Sequence, residues 1–255
     1  MSPKLRLSMA LAAALAFAAP ALAQAPAPAL DRGQVEGIVR DYLLKNPEII
    51  REAITALEER QRESEKVAQA KAFGDNREAI YNDPNAIVVG NPAGDVTLVE
   101  FFDYNCGYCK RSVLDVRELI KADPKLRIVL RDFPILGPDS IEASKVAVAA
   151  KSQLKGEKLW DFHLKLMSTR GKVGRERALE VAKEMGLDLA KLSAEAGNPA
   201  VMAPIQKTME LADSLGLNGT PVFIAGDEVI SGAVGVEPLR KAIASVRQCG
   251  KATCA

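Results

Sequence analysis

A Cys-x-x-Cys motif directly after a strongly apolar segment is the feature that most constrains this sequence. Residues 96–102 (VTLVEFF) are β-branched, aromatic and almost continuously apolar, which is typical of a buried central strand. Cys106 and Cys109 follow, and apolar residues at helical spacing come next. The pattern therefore predicts that a strand delivers two cysteines to the N-terminus of a helix, where unpaired N–H groups and a partial positive charge stabilise anions.

This placement predicts different roles for the two thiols. The pKa of Cys106 is expected to fall below the ~8.5 of free cysteine, towards the ~3.5–7.5 of activated thiols. Cys109, one turn into the helix, is expected to be more buried and to stay protonated. The two-residue spacing would let Cys109 attack a mixed disulfide formed on Cys106. Cys106 is thus the candidate nucleophile and Cys109 the candidate resolving thiol.

Three other uses of such a motif are alternatives. Structural zinc sites pair two motifs, or one motif with two histidines, whereas this chain has no second motif and one histidine, His163. A c-type haem needs histidine where Lys110 stands. An inert structural disulfide is the third alternative. No metal site is predicted, and a single histidine also disfavours a His-based catalytic triad.

Two further positions support chemistry at the motif. Glu100 lies inside the apolar strand, where a charge is unfavourable unless it is used or paired, so it is a candidate general base for Cys109. The alternative is a solvated strand position. Thr220-Pro221 precedes a later strand and could contain a cis bond, which would leave the Thr220 backbone free to pair with an extended substrate. The alternative is an ordinary trans-proline turn.

The N-terminus has the pattern of an export signal. Lys4 and Arg6 precede a short apolar stretch, and residues 21–23 (ALA) offer a cleavage site, so residues 1–23 are predicted to be a cleaved signal peptide. A retained membrane anchor is the alternative. The protein is accordingly predicted to work in the periplasm, where its cysteines can form disulfides. Without Lys4 and Arg6 the 34 basic residues fall to 32 against 33 acidic ones, a balance that argues against nucleic-acid binding.

Residues 24–82 are predicted to be a linker followed by a helical segment. Asp31 can cap a first helix, and Asn46-Pro47-Glu48 ends it and starts a second. The apolar residues of residues 35–57 lie at helical spacing, but residues 58–72 are mostly charged. The second helix could be a solvated rod, a flexible stalk, a subunit contact or a helix packed on its own domain. The apolar faces favour self-association as a dimer or trimer.

Cys249 and Cys254 form a separate pair near the C-terminus. A local structural disulfide is the leading interpretation, and a redox shuttle with Cys106 or a soft-metal site are the alternatives. His163 lies in a helical pattern and is expected to pack or to face solvent rather than to bind a ligand.

The whole pattern resembles the thioredoxin fold of the DsbA family. The resemblance rests on residues 99–104 (VEFFDY), on Cys106-Gly107-Tyr108-Cys109 and on residues 219–223 (GTPVF). Residues 42–48 (YLLKNPE) are similar to the branch of the suppressor-of-copper-sensitivity protein C (ScsC) and Com1. The resemblance implies an α/β protein with a thioredoxin-like domain at residues 83–138 and 217–248, an inserted helical domain at 139–216 and a cysteine-containing tail at 249–255.

The resemblance also implies roles. Cys106 would be the nucleophile, Cys109 the resolver, Glu100 the buried acid and Pro221 the cis-proline, while Thr220, Gly107 and Tyr108 would contact the substrate. Strongly oxidising DsbA proteins have Pro-His between the cysteines, so Gly107-Tyr108 implies a less oxidising protein and leaves room for isomerisation.

The function expected is a disulfide oxidase or isomerase that acts on unfolded or misfolded exported proteins. Its redox-active disulfide needs no other cofactor, and its partner would be a DsbD- or ScsB-like membrane reductase or a DsbB-like oxidant. A Cu(I)-binding or copper-tolerance protein and a chaperone are the alternative functions, since two thiolates suit Cu(I).

Overall fold

The computed structural model describes residues 31–254, so the predicted signal peptide lies outside the described residues. The chain divides into two compact units, with the boundary between Glu59 and Arg60. None of the described helices is both long and apolar enough to cross a membrane.

The first unit is helical. Helix α1 (Arg32–Lys45) begins at Asp31, whose side chain accepts from the Gln34 N–H while the Gln34 side chain accepts from the Asp31 N–H, a capping box. Helix α2 (Glu48–Tyr81) begins one residue after Pro47. The predicted apolar faces are present but uncovered, and the exposed side chains are Val35, Ile38, Val39, Tyr42, Leu44, Ile50, Ile54 and Leu57.

The second unit is built on a five-stranded sheet in the order β1-β3-β2-β4-β5. Strands β2 and β3 are parallel, and the other neighbours are antiparallel. Glu100 on β2 pairs with Leu130 on β3 and with Phe223 on β4, which puts it at the centre of the sheet. The strands are β1 (Ile87–Gly90), β2 (Val96–Phe102), β3 (Leu126–Asp132), β4 (Val222–Ala225) and β5 (Glu228–Ser231).

Seven further α-helices lie in the second unit of the described chain, with one short 3-10 helix (Pro199–Val201). The predicted helical region therefore consists of several short helices, separated by turns at the glycines that punctuate the sequence. The helices are α3 (Gly107–Ala122), α4 (Pro138–Ala150), α5 (Glu157–Ser168), α6 (Arg175–Glu184), α7 (Leu189–Gly197), α8 (Met202–Ser214) and α9 (Val236–Cys249).

Alternate residues of the strands feed two hydrophobic cores. One core joins the sheet to α3, α9 and helices α4–α7, and it includes Leu98 and Phe102. The other core lies on the opposite face and includes Val99 and Phe101, packed against α8 and the last turns of α2. Helix α8 falls within the predicted insert of residues 139–216, yet it packs on the opposite side of the sheet from α3.

The charged part of α2 is solvated, because residues 58–71 are exposed. Only its last turns are held in the second unit, where Phe73 and Ile80 are buried.

Candidate active site

Cys106 is the N-cap residue of α3, as the sequence predicted. Strand β2 ends at Phe102, and a short turn places Cys106 so that its Sγ accepts from the Cys109 backbone N–H at 3.4 Å. The Sγ also lies 3.2 Å from the Thr220 carbonyl oxygen, which accepts a hydrogen bond from the protonated thiol. Both Cys106 and Cys109 are free thiols, so the structure represents the reduced protein.

The environment of Cys106 favours its thiolate. A hydrogen bond with the Cys109 thiol and the backbone N–H groups of Cys109 and Tyr108 lower the pKa of Cys106 to about 5, against a smaller opposing effect of burial. The Thr220 carbonyl cannot donate, so its hydrogen bond is lost when the thiol ionises. The hydrogen bond with the Cys109 thiol is therefore the largest source of stabilisation, and the Thr220 side chain and the N–H donors of the helix start add to it.

Cys109 has the opposite character. It is fully buried, and burial together with its hydrogen bond to Cys106 raises the pKa of Cys109 far above that of a free thiol. The two sulfurs thus differ as predicted, with one ionised near neutral pH and the other protonated.

Glu100 is buried beneath the motif rather than solvated. Its side chain is 2% exposed, and burial raises the pKa of Glu100 to about 8, while a hydrogen bond from Ser112 acts in the other direction. The Ser112 Oγ lies 3.0 Å from Glu100 Oε1 and 3.2 Å from the Cys109 carbonyl oxygen. A negative charge on Glu100 also raises the pKa of Cys109, which shows that the two groups interact. Ser112 was not predicted; its position three residues after Cys109 on the apolar side of α3 is the signal that could have found it.

The Thr220–Pro221 peptide bond is cis, as predicted. Thr220 contacts Cys106 through its carbonyl oxygen, so the two segments that the sequence singled out, 114 residues apart, meet at one sulfur. Gly107 and Tyr108 are exposed beside them, and the guanidinium of Arg111 lies 4.4 Å from the centre of the Tyr108 ring. The predicted contact residues therefore lie next to Cys106, whose own side chain is 5% exposed.

A buried polar network that the sequence analysis missed fixes the turn before Cys106. The Asp103 carboxylate accepts from the Asn105 N–H at 2.7 Å, from the Ser140 hydroxyl at 2.7 Å and from the Leu136 N–H at 2.9 Å. The Asp103 carbonyl oxygen accepts from the Cys106 N–H at 3.0 Å. The network joins the turn to the start of α4, which holds Cys106 in place at the helix N-terminus.

The remaining candidate residues lie apart from the motif chemistry. Cys249 and Cys254 form a disulfide with their Cα atoms 6.1 Å apart, as expected. His163 is buried in an aromatic cluster, stacked on Trp160 with ring centres 5.3 Å apart, so it packs as predicted. Burial lowers the pKa of His163 to about 3, so it is neutral at physiological pH.

Among residues 31–254, no three histidine, cysteine or acidic side chains are grouped as a metal site. The two thiols of Cys106 and Cys109 are the soft donors that could together hold a single Cu(I) ion.

Two family models match the chain. The model of the DSBA-like thioredoxin domain matches residues 97–244, which contain the whole site described above. The model described as the copper resistance protein ScsC N-terminal domain matches residues 31–63.

Solved structures of thioredoxin-like and ScsC proteins are also similar to this chain. A thioredoxin-like oxidoreductase from Silicibacter pomeroyi DSS-3 is 45% identical, with a TM-score of 0.65 over 68% of this chain and 99% of that one. A Proteus mirabilis ScsC mutant with a linker deletion is 26% identical, with a TM-score of 0.64 over 87% and 98% of the two chains. A periplasmic thioredoxin-like protein from Salmonella enterica serovar Typhimurium is 26% identical, with a TM-score of 0.60 over 68% and 95%.

The curated relatives match this chain over only part of their own length. The first relatives are Na⁺/H⁺ antiporters from Salinispora species; the Salinispora arenicola protein is 28% identical over 166 residues. The match spans 64% of this chain but only about a quarter of the antiporter.

Proposed function

We propose that this chain, which belongs to the DSBA-like thioredoxin family, is a thiol–disulfide oxidoreductase that exchanges disulfides with exported proteins. The observation that carries the proposal is the unequal pair of thiols. Cys106 is 5% exposed, next to the exposed Gly107 and Tyr108, and has a pKa of about 5, whereas Cys109 is fully buried and protonated. An inert structural disulfide would need no such difference.

The exchange follows from this pair. In the reduced protein the Cys106 thiolate attacks one sulfur of a client disulfide, forms an intermolecular S–S bond and releases the other client sulfur as a thiolate. Cys109 then loses its proton and attacks Cys106 Sγ, which forms the Cys106–Cys109 disulfide and releases the second client thiolate. The client gains two electrons and the protein loses two. The reverse sequence donates the disulfide to a reduced client.

Glu100 is placed to take the Cys109 proton in the second step. With a pKa of about 8 it is mostly protonated at pH 7, and its minor ionised form can accept a proton, so it can both accept and release one. Ser112 orients the carboxyl by its 3.0 Å hydrogen bond. The cis Thr220–Pro221 segment and the exposed Gly107 and Tyr108 are proposed to contact the client backbone, as in strand addition.

Substitution of each cysteine tests the proposal. Cys106→Ala should abolish turnover of a model disulfide, whereas Cys109→Ala should trap mixed disulfides with client proteins that survive non-reducing electrophoresis. The matched control, Cys249→Ala with Cys254→Ala, should retain turnover. Full disulfide turnover in Cys106→Ala would refute the role of Cys106. Absence of turnover in the wild type, with suppression of client aggregation retained in Cys106→Ala, would refute the oxidoreductase proposal and favour a chaperone that works without redox chemistry.

Isomerase activity is favoured over oxidase activity by two features. Gly107-Tyr108 supplies no imidazolium to stabilise the thiolate of a strong oxidant. The uncovered apolar face of the first unit, which includes Ile38 and Ile54, suits a homo-oligomer that presents several active sites to one misfolded client. A dimer or trimer is proposed.

Light scattering and refolding of scrambled RNase separate these possibilities. Ile38→Asp with Ile54→Asp should give a folded, redox-active monomer with reduced isomerase activity, while Gln61→Asp on the polar part of α2 should behave as wild type. A wild-type protein that is already monomeric would remove the basis for the oligomer.

The proposed location is the periplasm. The signal pattern of residues 1–23 and the disulfide between Cys249 and Cys254 both suit an oxidising compartment. A DsbD- or ScsB-like reductase is the partner expected for an isomerase, and a DsbB-like oxidant for an oxidase. Alkylation trapping of the Cys106 redox state in cells distinguishes them, because an isomerase is kept reduced and an oxidase is kept oxidised.

Copper binding is a second candidate, favoured by the match of residues 31–63 to the ScsC N-terminal model. Cys106 and Cys109 would supply two soft sulfur ligands. Titration of the reduced protein with Cu(I) against a competing chelator should show one equivalent bound, and binding should be lost in Cys106→Ala. No binding at stoichiometric Cu(I) would exclude this function.

A further inference from the structure

A loop from the helical region runs beside the active-site motif and is fastened to it at both ends. At one end the Asn105 Nδ2 donates to the Val173 carbonyl at 2.9 Å, and the Val173 N–H donates to Asn105 Oδ1 at 2.7 Å. At the other end the Lys110 Nζ donates to the carbonyl oxygens of Thr169 at 2.7 Å and Gly171 at 3.0 Å. We call residues Thr169–Val173 the 169–173 loop. It is held alongside residues 105–110, which include the reactive cysteine.

The anchors have a clear physical basis. The Thr169 carbonyl directly follows α5, where helix carbonyls are unpaired and negatively polarised, so an ammonium group binds there favourably. Gly171 has a φ of 75°, the left-handed conformation that lets the chain turn between the two anchors. Thr169 and Val173 are buried, whereas the three residues between them are exposed. The loop is therefore a fixed edge of the site with its middle facing solvent.

The exposed middle of this edge is cationic. Arg170 and Lys172 both lie there, and the Lys172 side chain is 86% exposed. Lys110 and Arg111 add positive charge from the start of α3. The acidic side chain that pairs with the loop is Asp139, whose Oδ2 lies 3.5 Å from the Lys172 Nζ in an exposed contact. Four cations against two carboxylates, Asp139 and the buried Asp103 that interacts with Lys110, leave this side of the motif positively charged.

We infer that the 169–173 loop is a cationic docking edge that favours client segments carrying acidic residues next to their cysteine, an inference that rests on the proposed function. A client cysteine must approach Cys106 closely enough for the two sulfurs to bond. Its neighbouring side chains then lie within a Debye length, about 10 Å at 0.1 M salt, of the charges on residues adjacent to the motif. Attraction at that distance raises the rate of encounter and orients the client.

Two disulfide-linked peptide dimers test the inference, one with glutamates and one with lysines on both sides of the cysteine. The Cys106 thiolate of the reduced full chain attacks the peptide disulfide and releases one peptide thiolate. Cys109 then closes the protein disulfide and releases the second, so the peptide gains the two electrons that the protein loses. Acid quenching and chromatography of the released peptide give the rate constants. Each rate constant is divided by the rate constant for reduction of the same peptide by dithiothreitol, a neutral dithiol. This ratio corrects for the intrinsic reactivity of the peptide disulfide.

The normalised rate constant should be about fivefold higher for the glutamate peptide at low ionic strength, the factor expected for one or two exposed ion pairs. The preference should disappear in 1 M salt, where the Debye length falls to about 3 Å. Arg170→Ala with Lys172→Ala should abolish it. These substitutions keep the backbone carbonyls that bind Lys110, so the loop anchors remain. The rate constant for the glutamate peptide should fall while that for the lysine peptide does not, a pattern that a purely structural role would not produce.

The matched control is Lys66→Ala with Lys207→Ala, which removes the same net charge from exposed positions. Lys207 lies on α8, on the opposite face of the sheet, and Lys66 lies on the solvated part of α2, so this variant should keep the preference. Equal normalised rates for the two peptides, or a preference retained without Arg170 and Lys172, would overturn the inference while leaving the oxidoreductase proposal intact. No reaction with either peptide would overturn both.

Discussion

Replacement of Glu100 by Gln is expected to remove a pH-dependent loss of stability from the reduced protein. Glu100 is 2% exposed, and burial raises its pKa from 4.5 to about 8. Between these values the unfolded chain has released the Glu100 proton while the folded chain still holds it. A rise in pH in this window therefore favours unfolding. The free energy of unfolding that depends on the protonated Glu100 is fully present below about pH 4.5 and is lost as the pH rises towards 8.

The size of the effect follows from linkage. With these two pKa values, the free energy of unfolding should fall by about 2.5 kcal/mol between pH 5 and pH 7 because of Glu100 alone. Other buried groups also titrate, among them Asp132, whose pKa burial raises to about 6. The difference between wild type and Glu100→Gln cancels those contributions, because both proteins share them.

Urea unfolding of the reduced proteins at the two pH values measures this difference. Glu100→Gln should lose about 2.5 kcal/mol less stability than wild type over that interval. Glu63→Gln, at an exposed position on α2, should follow wild type. Parallel curves for wild type and Glu100→Gln would refute the reasoning, since they would mean that Glu100 has the same pKa in the folded and the unfolded chain.

Two further predictions concern stability away from the site. Asp83→Ala should destabilise the protein by about 3 kcal/mol in chemical denaturation, because it removes the carboxylate that lies 2.8 Å from the buried guanidinium of Arg131 and leaves it only the Ala79 carbonyl and the neighbouring Asp132. Glu180→Ala, which breaks the exposed pair with Arg177, should change stability by less than about 1 kcal/mol; equal effects of the two substitutions would contradict the assignment. Reduction or replacement of the Cys249–Cys254 disulfide, which joins residues five apart, should lower stability by about 2 kcal/mol at most, and a loss of folding would show that the tail does more than close a short loop.

The sequence was informative wherever local pattern decides the outcome. The apolar run of β2 and the helical spacing after Cys109 were enough to place Cys106 at a helix N-terminus. The capping box at Asp31 and the helix start after Pro47 were also local signals. Glu100 could be recognised because a carboxyl group inside a continuous apolar strand needs a specific reason.

Contacts between residues that are far apart in the sequence could not be predicted from such local patterns. The 169–173 loop meets Asn105 and Lys110 across about sixty residues, and nothing in the periodicity of either segment specifies that contact. Helix α8 shares its helical pattern with its neighbours in sequence, so its position on the opposite face of the sheet was not apparent. Such contacts depend on how the elements pack, which periodicity within one element does not encode.

The most direct test of the account is an ultraviolet titration of thiolate absorbance in the reduced full-length protein, with Cys106→Ala as the reference. Subtraction of the reference isolates the ionisation of Cys106. The account predicts a midpoint near pH 5, because a hydrogen bond with the Cys109 thiol, together with the N–H groups at the start of α3, stabilises the thiolate. A midpoint near that of free cysteine, about 8.5, would contradict the central claim that this sulfur is ionised at neutral pH.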